Sequence, residues 1–206
     1  MIRSSLLSEL PWLEHGFGTR NSPPLEEPYA SLRQIHSTVV YSTVAPGVTG
    51  EGDGLITHEP QLAISVRTAD CYPILLADER LRVIAALHAG WRGISGGIVH
   101  EALHRMRTEF GSRPADIRAA VGPGIGACCY WVGEEVAQKF GMRQAGKIDL
   151  AGANRQQLME EGLAAEKIEV TGLCTHCETD EFFSYRREKE NAGRMISWAK
   201  LVSSRG

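Results

Sequence analysis

Thr68-Ala69-Asp70-Cys71-Tyr72-Pro73 and His88-Ala89-Gly90-Trp91-Arg92-Gly93 each place a soft or nitrogen donor at the end of an apolar run. A thiolate and an imidazole at close range can act together as nucleophile and base, or can share a metal ion. Between them lie Ile74-Leu75-Leu76-Ala77 and Val83-Ile84-Ala85-Ala86-Leu87, joined by Asp78-Glu79-Arg80. Apolar runs of this length bounded by polar turn residues predict two buried strands closing on each other as a hairpin. A hairpin symmetric about Glu79-Arg80 sets Leu76 opposite Val83, Leu75 opposite Ile84 and Cys71 opposite His88. Directly opposed Cβ atoms in such a pair sit roughly 4.5–5.5 Å apart. A slip of one residue would separate the two donors.

The elements that must hold this pair follow from the rest of the pattern. Residues 20–29 carry Pro23, Pro24 and Pro28 among Glu26 and Glu27 and predict a surface loop. Residues 34–44 alternate and are rich in β-branched types, which predicts a strand. A glycine-rich turn at 50–54 leads into short strands at 55–57 and 62–66. Ile94, Ile98, Ala102, Leu103, Met106 and Phe110 recur at helical spacing, giving one helix over 94–110 that ends at 111–114. Strands are expected at 117–121, 168–170 and 195–202, with helices at 133–140 and 153–162. Strands gather early and helices are interspersed without a βαβ rhythm, which predicts an α+β fold of mixed or antiparallel sheets with flanking helices. No repeat or linker divides the chain, so residues 1–206 are expected to form one domain.

Three further motifs compete for a chemical reading. His100-Glu101-Ala102-Leu103-His104 matches the H-E-x-x-H pattern of zinc proteases. Projected at about 100° per residue, however, both histidines point away from the apolar face and beside Arg107, on the solvated side. Cys174-Thr175-His176-Cys177 has C-x-x-C spacing, but a structural zinc site needs a second spaced pair. Cys128-Cys129 is vicinal, so these cysteines read as packing residues. The glycine-rich stretch at 90–97 feeds a helix start, and serves either as an anion site with Arg92 as clamp or simply as a tight turn.

Composition narrows the function classes. With 206 residues, 43% hydrophobic, 23% charged and a formal charge of −3, the chain reads as an ordinary globular protein. That charge gives no electrostatic case for nucleic acid. Arg3, Glu9 and Glu14 interrupt the apolar residues of the N-terminus, so no secretion signal is expected. No apolar run reaches the roughly 20 residues that span a bilayer. Five cysteines without such a signal point to a reducing, cytoplasmic setting.

Five blocks then bring a resemblance. Gln34-Ile35-His36-Ser37, Ala69-Asp70-Cys71-Tyr72-Pro73, the His88 to Gly93 block, Gly122-Pro123-Gly124-Ile125-Gly126 and Phe183-Ser184-Tyr185-Arg186-Arg187 resemble, in order, the signatures of the YfiH family. This family is also called the laccase-domain or polyphenol-oxidase family, and more recently purine nucleoside phosphorylase. The resemblance implies an α-β-β-α sandwich and a metal centre of His36, Cys71 and His88. Three N/S ligands leave the fourth position of a tetrahedral zinc ion open, the arrangement of a catalytic site. It implies phosphorolysis of adenosine, inosine and methylthioadenosine, with adenosine deamination as a second activity. Expected partners are a purine nucleoside and phosphate, in a monomer or homodimer. Asp70 is the expected proton shuttle, and Arg92, Arg186 and Arg187 the expected phosphate clamps. The chain departs from the family pattern between Arg20 and Gln34, where a longer segment is usual, so a lid or contact element is expected to be missing.

Two other chemistries remain open from the residues. Copper in place of zinc would fit the older oxidase name. Yet a laccase needs many histidines in paired motifs, and none of His15, His58, His100, His104 and His176 forms an H-x-H pair. A metal-free hydrolase would use Cys71 as nucleophile and His88 as base, and the family resemblance implies peptidoglycan precursors as its substrate class.

Overall fold

The computed structural model describes residues 1–26 and 28–202; Glu27 of the expected proline-rich loop and residues 203–206 lie outside it. In chain order, α1 (Ser5–Ser8) and β1 (Leu13–Gly16) precede β2 (Tyr29–Arg33), β3 (Val40–Ser42) and β4 (Gly47–Glu51). Then come β5 (Gly54–Thr57), β6 (Ala63–Thr68), β7 (Tyr72–Asp78) and β8 (Val83–Ala89). Helices α2 (Trp91–Gly96) and α3 (Ile98–Phe110) lead to β9 (Ile117–Val121), β10 (Trp131–Val132) and α4 (Glu134–Gln138). β11 (Gly146–Lys147), α5 (Leu150–Glu160), β12 (Ile168–Val170), α6 (Tyr185–Glu188) and β13 (Met195–Leu201) complete the order.

Two mixed sheets stack face to face. The first runs β1-β13-β6-β2-β4 and the second β12-β9-β7-β8-β5-β3, while β10 and β11 form a separate ribbon. Strands β7 and β8 are buried along their whole length, which their unbroken apolar runs require. Their side chains divide between two cores by the period of two. Leu75, Ala77, Ile84 and Ala86 face the first sheet, packing with Ile64, Val66, Ala199 and Phe17. Ile74, Leu76, Ala85 and Leu87 face the helical side with Ile98, Ala102, Leu103 and Met106 of α3. The α+β class with two mixed sheets and flanking helices is as the pattern predicts.

Several boundaries differ, each for a local reason. The hairpin pairs Pro73 with His88 and Asp78 with Val83, two residues away from the symmetric register. Asp78 accounts for the shift: its carboxylate accepts the amides of Arg80 and Leu81 and its carbonyl that of Arg82, building a turn longer than two residues. The expected strand over 34–44 shrinks to β3, because 34–39 is pinned as a loop with His36 at φ 60°. The single helix expected over 94–110 is two helices, broken at Gly97 with φ 86°. β2 and β4 are further strands, lying mostly in residues to which the pattern assigned no element.

One feature of this topology places the site. The chain passes from the first sheet to the second between β2 and β3, between β4 and β5, and between β6 and β7. It returns between β3 and β4 and between β5 and β6 at the opposite end, and from β12 to β13 through residues 171–194. The three outward crossings and the return from β12 to β13 lie at the same end of the sandwich, where β8 and β9 also finish.

Candidate metal centre and its pocket

His36 rides on the first crossing, Asp53 on the second and Cys71 on the third, while His88 ends β8. The ligand atoms of His36, Cys71 and His88 lie within 4.8 Å of one another. The two-residue register shift keeps Cys71 on the His88 side of the hairpin, since it preserves the alternation of faces. Gln34 clamps the first crossing to β6: its amide nitrogen donates to Arg67 O and its oxygen accepts from Arg67 N, both at 2.8 Å. The His36 and His88 rings then meet edge to face with centroids 4.9 Å apart.

Asp53, fully buried, organises both histidines. One carboxylate oxygen accepts His36 N at 3.1 Å and His88 Nδ1 at 2.7 Å; the other accepts Ser37 N at 2.6 Å and Ser37 Oγ at 2.7 Å. Facing a carboxylate, His88 Nδ1 is the donor, which leaves Nε2 as the nitrogen available to the site. Burial would push the Asp53 carboxyl up, but the His88 ring and the Ser37 donors hold it below the usual range. Sequence reasoning missed this residue, because an aspartate in a Gly-rich turn carries no mark distinguishing it from an ordinary turn former.

Removal from solvent would likewise raise the Cys71 thiol, yet the two imidazoles beside it bring it down to about 6. Cys71 is therefore a thiolate at neutral pH, the form that ligates a metal. The donor set of one thiolate and two imidazoles, with a carboxylate behind one ring, fits zinc. Gly90 is required by this convergence: a Cβ there would stand 2.8 Å from Cys71 Sγ and 3.3 Å from His36 Cδ2. Within the glycine-rich stretch, Gly90 is thus a close-approach position, and α2 starts immediately after it at Trp91.

The three ligands sit in a cavity of about 860 Å³. Among the described residues its lining holds six basic side chains (Arg33, Arg67, Arg92, Arg186, Lys189 and Arg194) against the Asp70 carboxylate and the Cys71 thiolate, so its field favours anions. Arg92 stacks over Trp91 at 4.4 Å, and Arg186 lies over Tyr130 at 5.2 Å with Nη1 donating to Trp131 O at 2.9 Å. Burial, with the Cys71 thiolate nearby, pushes the Tyr130 phenol up to about 12, so it keeps its proton. Arg33, Arg67, Lys189 and Arg194 were not singled out in the sequence, since isolated basic residues far apart along the chain give no local signal.

Two of the expected residues are tied to neighbouring groups. Arg187 is committed inward, donating to the carbonyls of Thr175, His176 and Phe182 and to Glu188, and does not line the cavity. It braces the last crossing rather than clamping phosphate. Asp70 lines the cavity, but its carboxylate accepts Thr175 Oγ1 at 2.7 Å and Arg186 N at 2.6 Å. Both its oxygens already hold donors, so it ties the last crossing to the third.

The H-E-x-x-H motif lies where the helical projection put it. His100 and His104 are exposed on α3, His100 paired with Glu161 and His104 with Arg107, away from the triad. The other four cysteines, expected to be packing residues, gather into one group in space. The sulfurs of Cys128, Cys129, Cys174 and Cys177 all lie within 4.8 Å of one another, a group able to hold a metal. The missing second pair is supplied in space, because β9 and β12 are parallel neighbours and the loops following them meet.

The family model described as multi-copper polyphenol oxidoreductase laccase matches residues 19–202. The chain belongs to the YfiH, or laccase-domain, family. Within it, the purine nucleoside phosphorylase of Deinococcus radiodurans is 43% identical over 84% of this chain and 69% of its own length. Adenosine deaminase RL5, from an unknown prokaryote, is 38% identical over 70% of this chain. The chain spans 60% of that relative and 59% of the Bacteroides thetaiotaomicron purine nucleoside phosphorylase. Among solved structures, the Bacillus licheniformis hypothetical protein YfiH superposes with TM-score 0.85 at 28% identity, covering 92% of both chains. YlmD of Geobacillus stearothermophilus gives 0.82 at 29% identity, covering 86% of this chain and 74% of its own.

Proposed function

We propose that this family member is a zinc-dependent purine nucleoside phosphorylase acting on adenosine, inosine and methylthioadenosine, with adenosine deamination as a second reaction. The observation that carries the reading is a three-donor N/S/N set in a cavity whose charged walls are mostly basic. Zinc held by His36, Cys71 and His88 would supply a Lewis acid with one open coordination position.

The protein's own groups account for the remaining requirements. In phosphorolysis a phosphate oxygen bonds to C1′ of the ribose while the C1′–N9 bond breaks, its electron pair leaving with the base. Arg92 and Arg186, both at the cavity wall, hold the phosphate dianion against C1′ as positive charge builds on the sugar. Ile125, Tyr130 and Trp91 give apolar and aromatic surface on which a purine can lie. Tyr130, protonated at neutral pH, is a donor for the departing base. Asp70 acts by position, fixing the backbone of Arg186 so that its guanidinium faces the cavity. Five unpaired thiols suit a reducing compartment such as the cytoplasm.

The test is turnover of adenosine with phosphate, read as adenine and ribose 1-phosphate, beside metal analysis. Cys71→Ala should lower bound zinc by one equivalent and abolish both products. Arg92→Ala should raise KM for phosphate about tenfold, as loss of one charge-assisted contact predicts, and change KM for adenosine little. Turnover that survives exhaustive chelation would overturn the zinc reading and leave a Cys71–His88 hydrolase. Copper rather than zinc in the protein, with phenol oxidation in place of phosphorolysis, would overturn it in favour of the oxidase.

A further inference from the structure

The second cysteine group lies outside the catalytic triad, and nothing in the proposed reaction uses it. Cys128 and Cys129 belong to the loop after β9, Cys174 and Cys177 to the loop after β12. The sulfur separations are 3.6 Å for Cys128–Cys174, 3.7 Å for Cys128–Cys177 and 3.3 Å for Cys129–Cys177. A disulfide would bring one pair to about 2.05 Å. A tetrahedron of sulfurs at about 2.3 Å from a central zinc has edges of about 3.8 Å. Two of these separations lie within about 0.2 Å of that edge, the third is shorter, and all four sulfurs lie within 4.8 Å of one another.

The backbone closes tightly around the four sulfurs. Gly126 N donates to Cys174 Sγ at 3.2 Å, and a Cβ at Gly126 would press on Cys128 Sγ at 3.2 Å and Cys174 Sγ at 3.4 Å. The two loops are laced by backbone bonds, Thr175 N to Gly124 O at 3.0 Å and Gly124 N to Leu173 O at 3.3 Å. The Arg187 guanidinium sits on the carbonyls of Thr175 and His176, inside the Cys174–Cys177 turn. Four thiolates around a divalent ion carry a net charge of −2, and the Gly126 N–H and this cation are what such a centre needs nearby.

We propose that Cys128, Cys129, Cys174 and Cys177 form a second, structural zinc site that rivets the loop after β9 to the loop after β12. Binding releases the thiol protons, forms four Zn–S bonds and involves no redox change. All four positions of the tetrahedron are then filled by protein, the mark of a structural rather than a catalytic centre. The rivet bears on the catalytic pocket through its walls. The first loop supplies Ile125 and Tyr130 to the cavity, and the second supplies Thr175, which holds Asp70.

This site is independent of the proposed reaction, and Cys71→Ala isolates it. Native mass spectrometry of Cys71→Ala should show one bound zinc, and of the unmodified protein two. Cys128→Ser/Cys177→Ser should lower the wild-type stoichiometry by one while Cys71 and its histidines keep theirs. Should that variant not fold, cobalt substitution of Cys71→Ala gives an independent reading, intense thiolate-to-cobalt charge-transfer bands supporting a four-sulfur site. A metal-free Cys71→Ala would overturn the proposal, as would a mass two hydrogens lower from a disulfide among these cysteines.

Discussion

At the scale of single residues, Asp53 does most to define the triad without being part of it. Its one carboxylate orients the His88 ring and fixes the backbone that carries His36. Asp53→Asn keeps the volume but turns an NH2 group toward groups that are themselves donors. Zinc affinity at the triad is expected to fall about 10- to 100-fold, as for outer-sphere partners of metal-bound histidines, in a competition titration against a chromophoric chelator. An unchanged affinity would show that the histidines are held by packing alone. The residue scale is also where the sequence was most and least legible. Cys71 and His88 could be paired because alternation survives an error of two in register, whereas Asp53 sits in a Gly-rich turn that announces only a turn. Arg187 has the residue type of a phosphate clamp, and only the carbonyls around its guanidinium reveal that it is a brace.

At the scale of elements, α3 shows what periodicity can decide. Its apolar stripe, Ile98, Ala102, Leu103 and Met106, is buried against the second sheet, so His100 and His104 must face outward. His100→Ala and His104→Ala should leave zinc stoichiometry and turnover unchanged. Their exposed ion-pair and ring contacts predict stability losses within about 1 kcal/mol, measured by urea unfolding. Loss of metal in either variant would contradict the placement of this helix face. Periodicity was silent about the four-cysteine group, because a vicinal pair and a C-x-x-C pair become one cluster only through the parallel pairing of β9 with β12. It was misleading at 34–44, where β-branched residues suggested a long strand but Asp53 and the Gln34 clamp on Arg67 hold most of the segment as a loop.

At the scale of the whole molecule, stability carries its own pH signature. His15 is buried in β1, its Nε2 accepting Ser4 N at 3.0 Å, while Nδ1 has no partner among the described residues. Burial, then the neighbouring Arg3, lower its pKa from 6.5 to about 4. The fold therefore favours the neutral ring, and its contribution is complete above pH 6.5. As pH falls from there toward 4, the unfolded chain takes up a proton that the folded chain refuses, and stability declines. The full loss amounts to about 3 kcal/mol. His15→Gln, which can still accept the Ser4 amide, should flatten the fall in urea midpoint between pH 7 and 5. Parallel profiles for the two proteins would assign the acid sensitivity elsewhere. The general architecture was legible from the runs of apolar residues, but the stacking of the sheets was not, since nothing in a run says which of two sheets it joins.

The crossings between those sheets make the triad a gauge of how they are stacked. His36 and Cys71 stand on bridges with one foot in each sheet, while His88 is fixed in the second sheet alone. Sliding one sheet over the other by an ångström would pull two ligands away from the third. Ile64 and Leu75, deep in the interface between the layers, thereby help to set the bite of the metal centre, although neither offers it an atom. The tolerance of that interface to repacking is bounded by coordination geometry as well as by cohesion.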